Sequence, residues 1–469
     1  MEILDALRWA VGTDYVLTGD DTAKWSRDWM GVYAWTPLAV VRPASTEDVA
    51  IVVKTCADAG VAVVPVGGNT GLTGGTNAQD AVMVSLDRMN AIMAVKPDAM
   101  VAVVQAGAVL QSIHGACDDH DLIFPLLFGA RGSAMIGGNL STNAGGSNVL
   151  RYGNTRDLVL GIEVVLPDGR VMDLMSELKK DNTGLNLKHL FIGAEGTLGI
   201  ITAVSLRLFR KPLAYATAMV GLRSLRDALP LLNRLQDETG GGVEAFEFMP
   251  RRYIDRHLEY FDSAVEPFDG PHEVNILVEI GTTRASDLEP DGDGTPKLTA
   301  ILEGALADML EADTAQDAVV AQSEAQRRTM WARRESAAEI TIGQPGEIDT
   351  DVAVPLDQVP DFLEQVSPRV LAIDPNAQEF YIAHLGDGNL HYTVYASDAS
   401  GALKDPITEA VEDVVLSLGG SFSAEHGIGL SKRGSMARRK DPVALDVMRA
   451  VKTTLDPMGI MNPGKVYPE

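Results

Sequence analysis

The sequence predicts an α+β protein with more than one domain, and two observations carry this prediction. A chain of 469 residues is too long to enclose a single compact core. Strand-like and helix-like segments alternate along most of its length, and their pattern changes after residue 210. We therefore expect a first domain at residues 1–210, a second at 211–420 and a C-terminal segment at 421–469.

The first domain is expected to combine short strands with few helices. Residues 38–65 have the pattern of one β-α-β unit, because an S-x-x-D helix start at Ser45 precedes apolar residues at helical spacing up to Gly60. A second helix is predicted near 109–119, and the Pro-Asp-Gly sequence at 167–169 predicts a hairpin turn. The predicted strands are 38–41, 61–65, 81–86, 91–95, 100–106, 159–166 and 171–174.

The second domain is also predicted to be α+β. Its apolar runs are long enough for full strands, and they alternate with segments of helical periodicity. The predicted strands are 214–222, 244–249, 274–281, 350–354, 379–385 and 391–396. The predicted helices are 224–239, one after residue 249, 297–312 and 320–340. The last 50 residues are predicted to be helical up to Pro457.

Three glycine-rich segments, at 67–75, 129–146 and 192–202, are the first feature that points to a ligand. Glycine allows backbone N–H groups to approach a ligand closely, and consecutive free N–H groups form a site for an anion such as a pyrophosphate. Neither G-x-G-x-x-G nor the phosphate-loop pattern is present. A single segment of this kind is usually only a turn, but three favour a cofactor.

The segment HLGDGNLH, from His384 to His391, favours a metal site. Asp387-Gly388 is a preferred two-residue hairpin loop, and with that loop His384 would lie directly opposite His391 on one face. Two imidazoles so placed can chelate a divalent ion. The alternative is a histidine pair that only packs.

Glu425-His426 adds a carboxylate and a third imidazole in a loop-like stretch. Two histidines and a glutamate suit Zn²⁺ or Mn²⁺ with one coordination position left for substrate, and the remaining histidine is then a candidate general base. The dipeptide alone would carry no such prediction.

Arginines at 327, 328, 333 and 334 surround Trp331 on a predicted helix. Most clusters of this kind are solvated helix faces, but an anion site in so acidic a chain needs a guanidinium group.

Composition excludes several classes of function. Lys and Arg number 39 against 65 Asp and Glu, and the net charge of −26 argues against nucleic acid or an anionic membrane as the main partner. The two cysteines, Cys56 and Cys117, have no metal-ligand or CxxC spacing and are expected to be buried thiols of a reducing cytoplasm. No signal peptide and no transmembrane segment are expected.

In combination, these segments resemble the FAD-linked oxidase family that includes D-lactate, glycolate and D-2-hydroxyglutarate dehydrogenases. The resemblance covers nearly the whole chain. It implies a two-subdomain FAD-binding domain of the vanillyl-alcohol oxidase type and a C-terminal α+β substrate domain with an antiparallel sheet. The motifs that carry it are PVGGNTGLTGG (65–75), IGGNLSTNAGG (136–146), GAEGTLGIIT (193–202), HLGDGNLH (384–391), EHGIG (425–429) and NPGK (462–465).

The resemblance also implies roles for individual residues. His384, His391 and Glu425 would hold the metal, His426 would be the general base, and Arg334 would bind the substrate carboxylate. FAD would be bound without a covalent link, because Asn69-Thr70 stands where covalent relatives carry histidine. The implied cofactor-binding residues are Val66, Gly67, Gly68, Asn69, Thr70, Gly71, Leu72, Gly75, Pro125, Gly129, Ser133, Gly137, Gly138, Ser141, Thr142, Asn143, Gly145, Gly146, Glu195, Gly196, Gly199, Ile201 and Asn462.

The implied reaction is oxidation of a D-2-hydroxy acid, with D-2-hydroxyglutarate as the leading substrate and electrons passed to a protein or quinone acceptor. D-lactate, D-malate and glycolate are alternatives, because Ala338, Asp349 and Thr393 depart from the D-2-hydroxyglutarate branch. A flavin-free metal hydrolase and a catalytically silent flavoprotein subunit are alternatives of other classes. A homodimer is possible in this family, and a cytoplasmic location is expected.

Overall fold

The structure is a computed structural model that describes residues 3–290 and 294–468. The chain divides into two compact units. The first consists of Met1–Gly145, Asn154–Arg210 and Glu425–Glu469, and the second of Gly146–Gly153 and Lys211–Ala424. Both units are thus assembled from separate stretches of sequence. The functions expected for the two domains remain predictions.

The first unit contains three small sheets within its described residues. The strand orders are β1-β2-β4-β3, β5-β6-β10-β8-β9 and β11-β7. β2 and β3 run parallel to β4, whereas the five-stranded sheet is antiparallel. The strands are β1 Val16–Leu17, β2 Ala39–Val41, β3 Val63–Val66, β4 Val82–Ser85, β5 Ile92–Lys96, β6 Val101–Gln105, β7 Leu122–Ile123, β8 Val159–Val165, β9 Val171–Leu174, β10 Ile200–Arg207 and β11 Phe209–Arg210.

The helices of the first unit are mostly short. Its α-helices are Ile3–Val11, Thr46–Ala59, Leu110–Asp118, Ile136–Thr142, Lys188–Phe191, Arg433–Arg439 and Pro442–Leu455. Its 3₁₀ helices are Thr13–Tyr15, Gly19–Trp25, Gly129–Gly132 and Thr155–Leu158.

The β-α-β unit predicted at 38–65 is present, and its helix ends have clear causes. The Ser45 side chain accepts a hydrogen bond from the Asp48 backbone N–H and so caps the first turn. Gly60, with φ of 64°, ends the helix in the left-handed conformation. The helix buries an apolar stripe that includes Val49, Val52 and Cys56. Local sequence signals therefore suffice for this element.

The second unit is built on one seven-stranded antiparallel sheet. Its strand order is β15-β12-β14-β13-β17-β18-β16. The strands are β12 Ala214–Leu222, β13 Val243–Pro250, β14 Val274–Thr282, β15 Ala315–Val320, β16 Glu347–Ala353, β17 Gln378–His384 and β18 Asn389–Tyr395. The α-helices are Val149–Tyr152, Ala228–Thr239, Arg251–Tyr260, Lys297–Glu311, Glu324–Glu335, Ala337–Thr341, Val359–Ile373 and Lys404–Ser417, and the 3₁₀ helices are Leu225–Asp227, Ala285–Asp287 and Leu356–Gln358. The α+β prediction with an antiparallel sheet is confirmed.

The two faces of this sheet differ in polarity. One face packs side chains such as Phe246 and Val278 against the large apolar core of the unit. The other face carries a smaller apolar cluster, which includes Met249 and Leu277, together with buried charged residues. Because side chains alternate along a strand, each strand contributes to both faces. The polar face is the one that matters for chemistry.

The predicted helix 320–340 is wrong in its first part and in its continuity. Residues 315–320 form β15 at the edge of the sheet, and the helix begins only after Ser323, whose side chain accepts from the Gln326 N–H. It then breaks at Ser336 into two segments. A short polar edge strand carries too weak an alternation to be distinguished from helix by pattern alone.

Candidate active site

Glycine in the first unit allows two backbone segments to approach each other very closely. A Cβ atom at Gly68, in the loop after β3, would overlap the carbonyl oxygen of Ser133. A Cβ atom at Gly137, at the start of helix Ile136–Thr142, would lie 2.8 Å from the Cβ of Ala106. Side chains are therefore excluded at both positions. The first and second glycine-rich segments therefore lie next to each other.

The loop after β3 presents consecutive backbone donors. No described residue accepts a hydrogen bond from the backbone N–H groups of residues 69–72. The Asn69 side chain holds the loop, since its Nδ2 donates to the Arg27 carbonyl at 2.8 Å and its Oδ1 accepts from Thr76 Oγ1 at 2.7 Å. Asn69 itself has φ of 55°. Such a run of free N–H groups fits the pyrophosphate of a dinucleotide such as FAD.

Glu195 connects the third glycine-rich segment with the C-terminal stretch of the same unit. Its two carboxylate oxygens accept from the Ile428 and Gly429 N–H groups at 2.7 and 2.8 Å. Burial raises the pKa of this carboxyl, and the two backbone donors oppose that rise. Asn462 Nδ2 donates to the carbonyls of Glu195 and Gly75, at 2.7 and 3.0 Å. Three of the predicted cofactor-binding residues thus lie together.

Four more predicted cofactor-binding residues lie at the ends of two short helices of the first unit. Ser133 follows the 3₁₀ helix Gly129–Gly132, and Ser141 and Thr142 end helix Ile136–Thr142, where Asn143 has φ of 52°. Gly146 is the exception, because it begins the short stretch that belongs to the second unit.

The predicted register of the histidine hairpin is wrong by two residues. His384 pairs with Asn389, and His391 pairs with Ile382, so the loop comprises residues 385–388 rather than Asp387-Gly388 alone. The N–H groups of residues 387 and 388 both donate to the His384 carbonyl, which closes the longer turn. A slip of two residues leaves side chains on the same face. The two imidazole rings accordingly lie next to each other in an edge-to-face arrangement, with centroids 5.4 Å apart and an angle of 79° between the ring planes.

Glu247, which the sequence reading missed, links two of the predicted site residues. It lies on β13 directly opposite His384 and is buried. Its Oε2 accepts from Arg334 Nε at 2.7 Å, and its Oε1 lies 2.9 Å from His384 Nδ1. Burial would raise the pKa of Glu247, but the charges of His384 and Arg334 outweigh burial and lower it. The EAFEFM pattern, two acids in a buried strand, was the available signal.

Arg334 is buried beside the first histidine. Arg334 Nη2 lies 3.3 Å from His384 Nδ1. Arg327 of the same helix pairs with buried Glu279 through two hydrogen bonds, and Trp331 Nε1 donates to that same carboxylate at 2.9 Å. A solvated face therefore describes only Arg328, which is exposed.

Asp351 is a second residue that the sequence reading missed. It lies on β16 opposite His391, with 3.9 Å between Asp351 Oδ1 and His391 Nδ1. The carboxylate accepts from Asn389 Nδ2 at 2.9 Å. Ala424, the last residue of the second unit, donates its N–H to the Asp351 carbonyl at 3.2 Å. Glu425 and His426 follow in sequence as the first residues of the last stretch of the first unit.

The strand face beyond His391 is acidic. Thr393 and Tyr395 continue that face, opposite Asp349 and Glu347. Thr393 Oγ1 donates to Asp349 Oδ1 at 2.6 Å. Burial, together with the neighbouring Asp349, raises the pKa of Glu347 to about 7. Asp349 and Thr393, two positions at which this chain departs from the D-2-hydroxyglutarate branch, are therefore in direct contact.

Comparison with known proteins gives two family matches. The family described as FAD linked oxidases, C-terminal domain, matches residues 211–466, and the FAD binding domain family matches residues 37–175. None of the helices within the described residues has the length and hydropathy of a membrane span.

Curated relatives and solved structures agree with these matches. "D-2-hydroxyglutarate dehydrogenase" of Xanthomonas citri is 34% identical over 95% of this chain and 93% of its own. The mitochondrial enzyme of that name from Danio rerio is 35% identical over 97% and 83%. p-Cresol methylhydroxylase and 4-ethylphenol oxidase from Gulosibacter chungangensis have TM-scores of 0.73 at 16% and 18% identity, over 99% and 100% of this chain and 96% and 97% of theirs, which shows the shared fold. The chain belongs to the FAD-linked oxidase family, within its group of FAD-dependent D-2-hydroxyacid dehydrogenases.

Proposed function

We propose that this protein oxidises D-2-hydroxyglutarate to 2-oxoglutarate and passes the electrons to a protein or quinone acceptor. The names of the relatives support the substrate. The observation that carries the chemistry is the buried Arg334 guanidinium beside His384, because a buried cation in an acidic chain suits an anionic substrate. Arg334 binds the 1-carboxylate and thereby orients the carbinol carbon.

His426 is proposed to take the proton from the substrate hydroxyl. An imidazole with an unprotonated ring nitrogen can act as a general base. When bound, FAD supplies the hydride acceptor for the carbinol hydrogen. The flavin is proposed to be bound without a covalent link, since the loop after β3 offers backbone and no histidine at Asn69-Thr70.

His384, His391 and Glu425 are proposed to hold a divalent metal, either Zn²⁺ or Mn²⁺. Imidazole and carboxylate are suitable ligands for both ions. When bound, the ion supplies a Lewis acid that lowers the pKa of the substrate hydroxyl. The neighbouring rings of His384 and His391, with centroids 5.4 Å apart, support this ligand set.

A substrate with only one carboxylate is the second candidate, and the acidic strand face favours it. Glu347 and Asp349 lie on the face that carries His391, and the negative charge that this pair shares would repel a distal carboxylate. D-lactate and glycolate lack that group, whereas D-malate and D-2-hydroxyglutarate have it. Anaerobic flavin reduction with all four acids discriminates between the two candidates. Fastest reduction by D-lactate or glycolate would overturn the D-2-hydroxyglutarate assignment.

The base assignment is tested by His426→Asn in stopped-flow flavin reduction. Loss of the base is expected to slow reduction by about 10²–10⁴-fold at saturating substrate. His120→Asn is the matched control, because His120 is an exposed histidine of the same unit. Reduction of H426N at the wild-type rate would contradict the assignment.

Metal dependence is tested by dialysis against a chelator followed by addition of Zn²⁺ or Mn²⁺. Activity is expected to fall when the chelator removes the metal and to return when one of the two ions is added.

The visible spectrum of the same samples tests the flavin-free hydrolase, because such an enzyme would have no flavin absorption.

A further inference from the structure

We propose that Glu247 is a positioning residue that fixes both the substrate-binding arginine and the ring orientation of His384. The inference deepens the proposed function and rests on it for the roles of Arg334 and His384. The Glu247 carboxylate is shielded from solvent, since the residue is only 1% exposed.

Each oxygen of the Glu247 carboxylate has a different partner. Oε2 accepts from Arg334 Nε at 2.7 Å, and Oε1 meets His384 Nδ1 at 2.9 Å. Glu247 and His384 are directly paired residues of neighbouring strands, so their backbone separation is fixed by the ladder of β13 and β17. The carboxylate therefore sits between a helix residue and a strand residue and fixes the distance between them.

The contact with His384 determines which ring nitrogen carries the proton. Nδ1 lies 2.9 Å from the Glu247 carboxylate, which when ionised can only accept, and 3.3 Å from the Arg334 guanidinium, which can only donate. The shorter contact assigns the proton to Nδ1. In the neutral ring, Nε2 then carries the lone pair. A metal ligand of this kind is oriented by the carboxylate behind it, and its basicity rises. Glu247 thus prepares Nε2 of His384 as a ligand atom.

A second buried glutamate in the same sheet shows what Glu247 adds. Glu279 lies on β14 and is 2% exposed, and it pairs with Arg327 of the helix that also carries Arg334. Glu279 has Thr217 and Trp331 as its other partners. Both glutamates are buried and each pairs with an arginine of the same helix. Only Glu247 contacts a histidine of the site. Glu279 is therefore the internal control.

The test compares wild type, Glu247→Gln and Glu279→Gln in two measurements that need no turnover. The first is the ¹⁵N spectrum of histidine-labelled protein, in which the His384 signals are identified by their loss in His384→Gln. We expect the Nδ1–H tautomer in wild type and in E279Q, and its loss in E247Q. The second is the Zn²⁺ dissociation constant by competition with a chelating dye, which we expect to rise about 10–100-fold in E247Q alone.

Steady-state kinetics complete the test. Weaker orientation of Arg334 in E247Q is expected to raise KM for the 2-hydroxy acid, whereas E279Q leaves KM close to that of wild type. The Nε2–H tautomer of His384 in wild type would overturn the proposal without any variant, even if E247Q fails to fold. Equal Zn²⁺ affinity in E247Q and E279Q would also overturn it. Because the spectrum and the Zn²⁺ titration need no substrate, they separate this inference from failure of the proposed reaction.

Discussion

The two units hold their predicted site residues by different physical means. The first unit uses backbone: glycines at close approach, free N–H groups and left-handed residues such as Asn69 and Asn143. The second unit uses buried charged side chains on one face of a sheet, with Glu247 at their centre. A backbone site is vulnerable to added volume, whereas a site of buried charges is vulnerable to the loss of a single partner.

Substitution of Arg334 should have the largest effect on the second unit. Arg334→Met is expected to lower kcat/KM by about 10³-fold, because it removes the buried guanidinium and leaves Glu247 with one partner fewer. Arg334→Lys keeps the charge but not the forked geometry and is expected to recover only part of the activity. Arg328→Lys, on the same helix but exposed, is the control. An R334M enzyme within threefold of wild type in a kcat/KM assay would refute a role in binding.

A larger side chain at Gly68 should weaken FAD binding by the first unit, with a smaller effect than the substitution of Arg334. Gly68→Ala places a methyl group onto the Ser133 carbonyl, so one of the two backbone segments must move. The FAD dissociation constant is expected to rise about 10²-fold, measured by flavin fluorescence after gel filtration. Gly115→Ala serves as control, since a Cβ there meets no atom within 4 Å. Full flavin retention by G68A would show that backbone approach does not form the site.

A smaller effect is expected from substitution of Tyr253, which supports the backbone of Arg334. Tyr253 is fully buried, and its hydroxyl donates to the carbonyls of Arg333 and Arg334 at 2.7 and 3.3 Å, at the end of their helix. Tyr253→Phe is expected to lower the free energy of unfolding by about 1 kcal/mol and to raise KM a few-fold. Tyr260→Phe, an exposed position on helix Arg251–Tyr260, is the control in urea unfolding. Unchanged stability and KM in Y253F would remove this support.

The smallest expected effect is a pH dependence carried by His257. Burial, with the neighbouring charge of Arg333, lowers the pKa of this imidazole to about 4. Between pH 6.5 and 4 the unfolded state therefore binds a proton that the folded state does not. The free energy of unfolding decreases as the pH is lowered through that window. The contribution is on the order of 1 kcal/mol after solvent screening.

His257→Asn tests this contribution, because an amide can still donate to Ser336 Oγ, which lies 2.9 Å from His257 Nδ1. The free energy of unfolding of H257N should decline less between pH 7 and 4.5 than that of wild type. Parallel pH curves in chemical unfolding would show that His257 does not titrate as expected.

The difference between the units also explains what the sequence could predict. Glycine clusters are visible as composition, and the β-α-β unit at 38–65 is local, so both were found. Glu247 and Asp351 were missed because a buried acid in a strand has no local signature until its partners are known. The hairpin was placed two residues out because the loop closes on the His384 carbonyl rather than at Asp387-Gly388. The stretch Gly146–Gly153 joins the second unit through Glu244, which pairs with Arg151, Tyr152 and Asn148, contacts too distant in sequence to predict.

Anaerobic flavin reduction with the D and L enantiomers of 2-hydroxyglutarate and lactate tests the central claim most directly. In wild type, a D acid is expected to bleach the flavin absorption and its L enantiomer to leave it unchanged, while R334M should reduce about 10³-fold more slowly with the same D acid. Bleaching by neither D acid, or equal rates in wild type and R334M, would contradict the account.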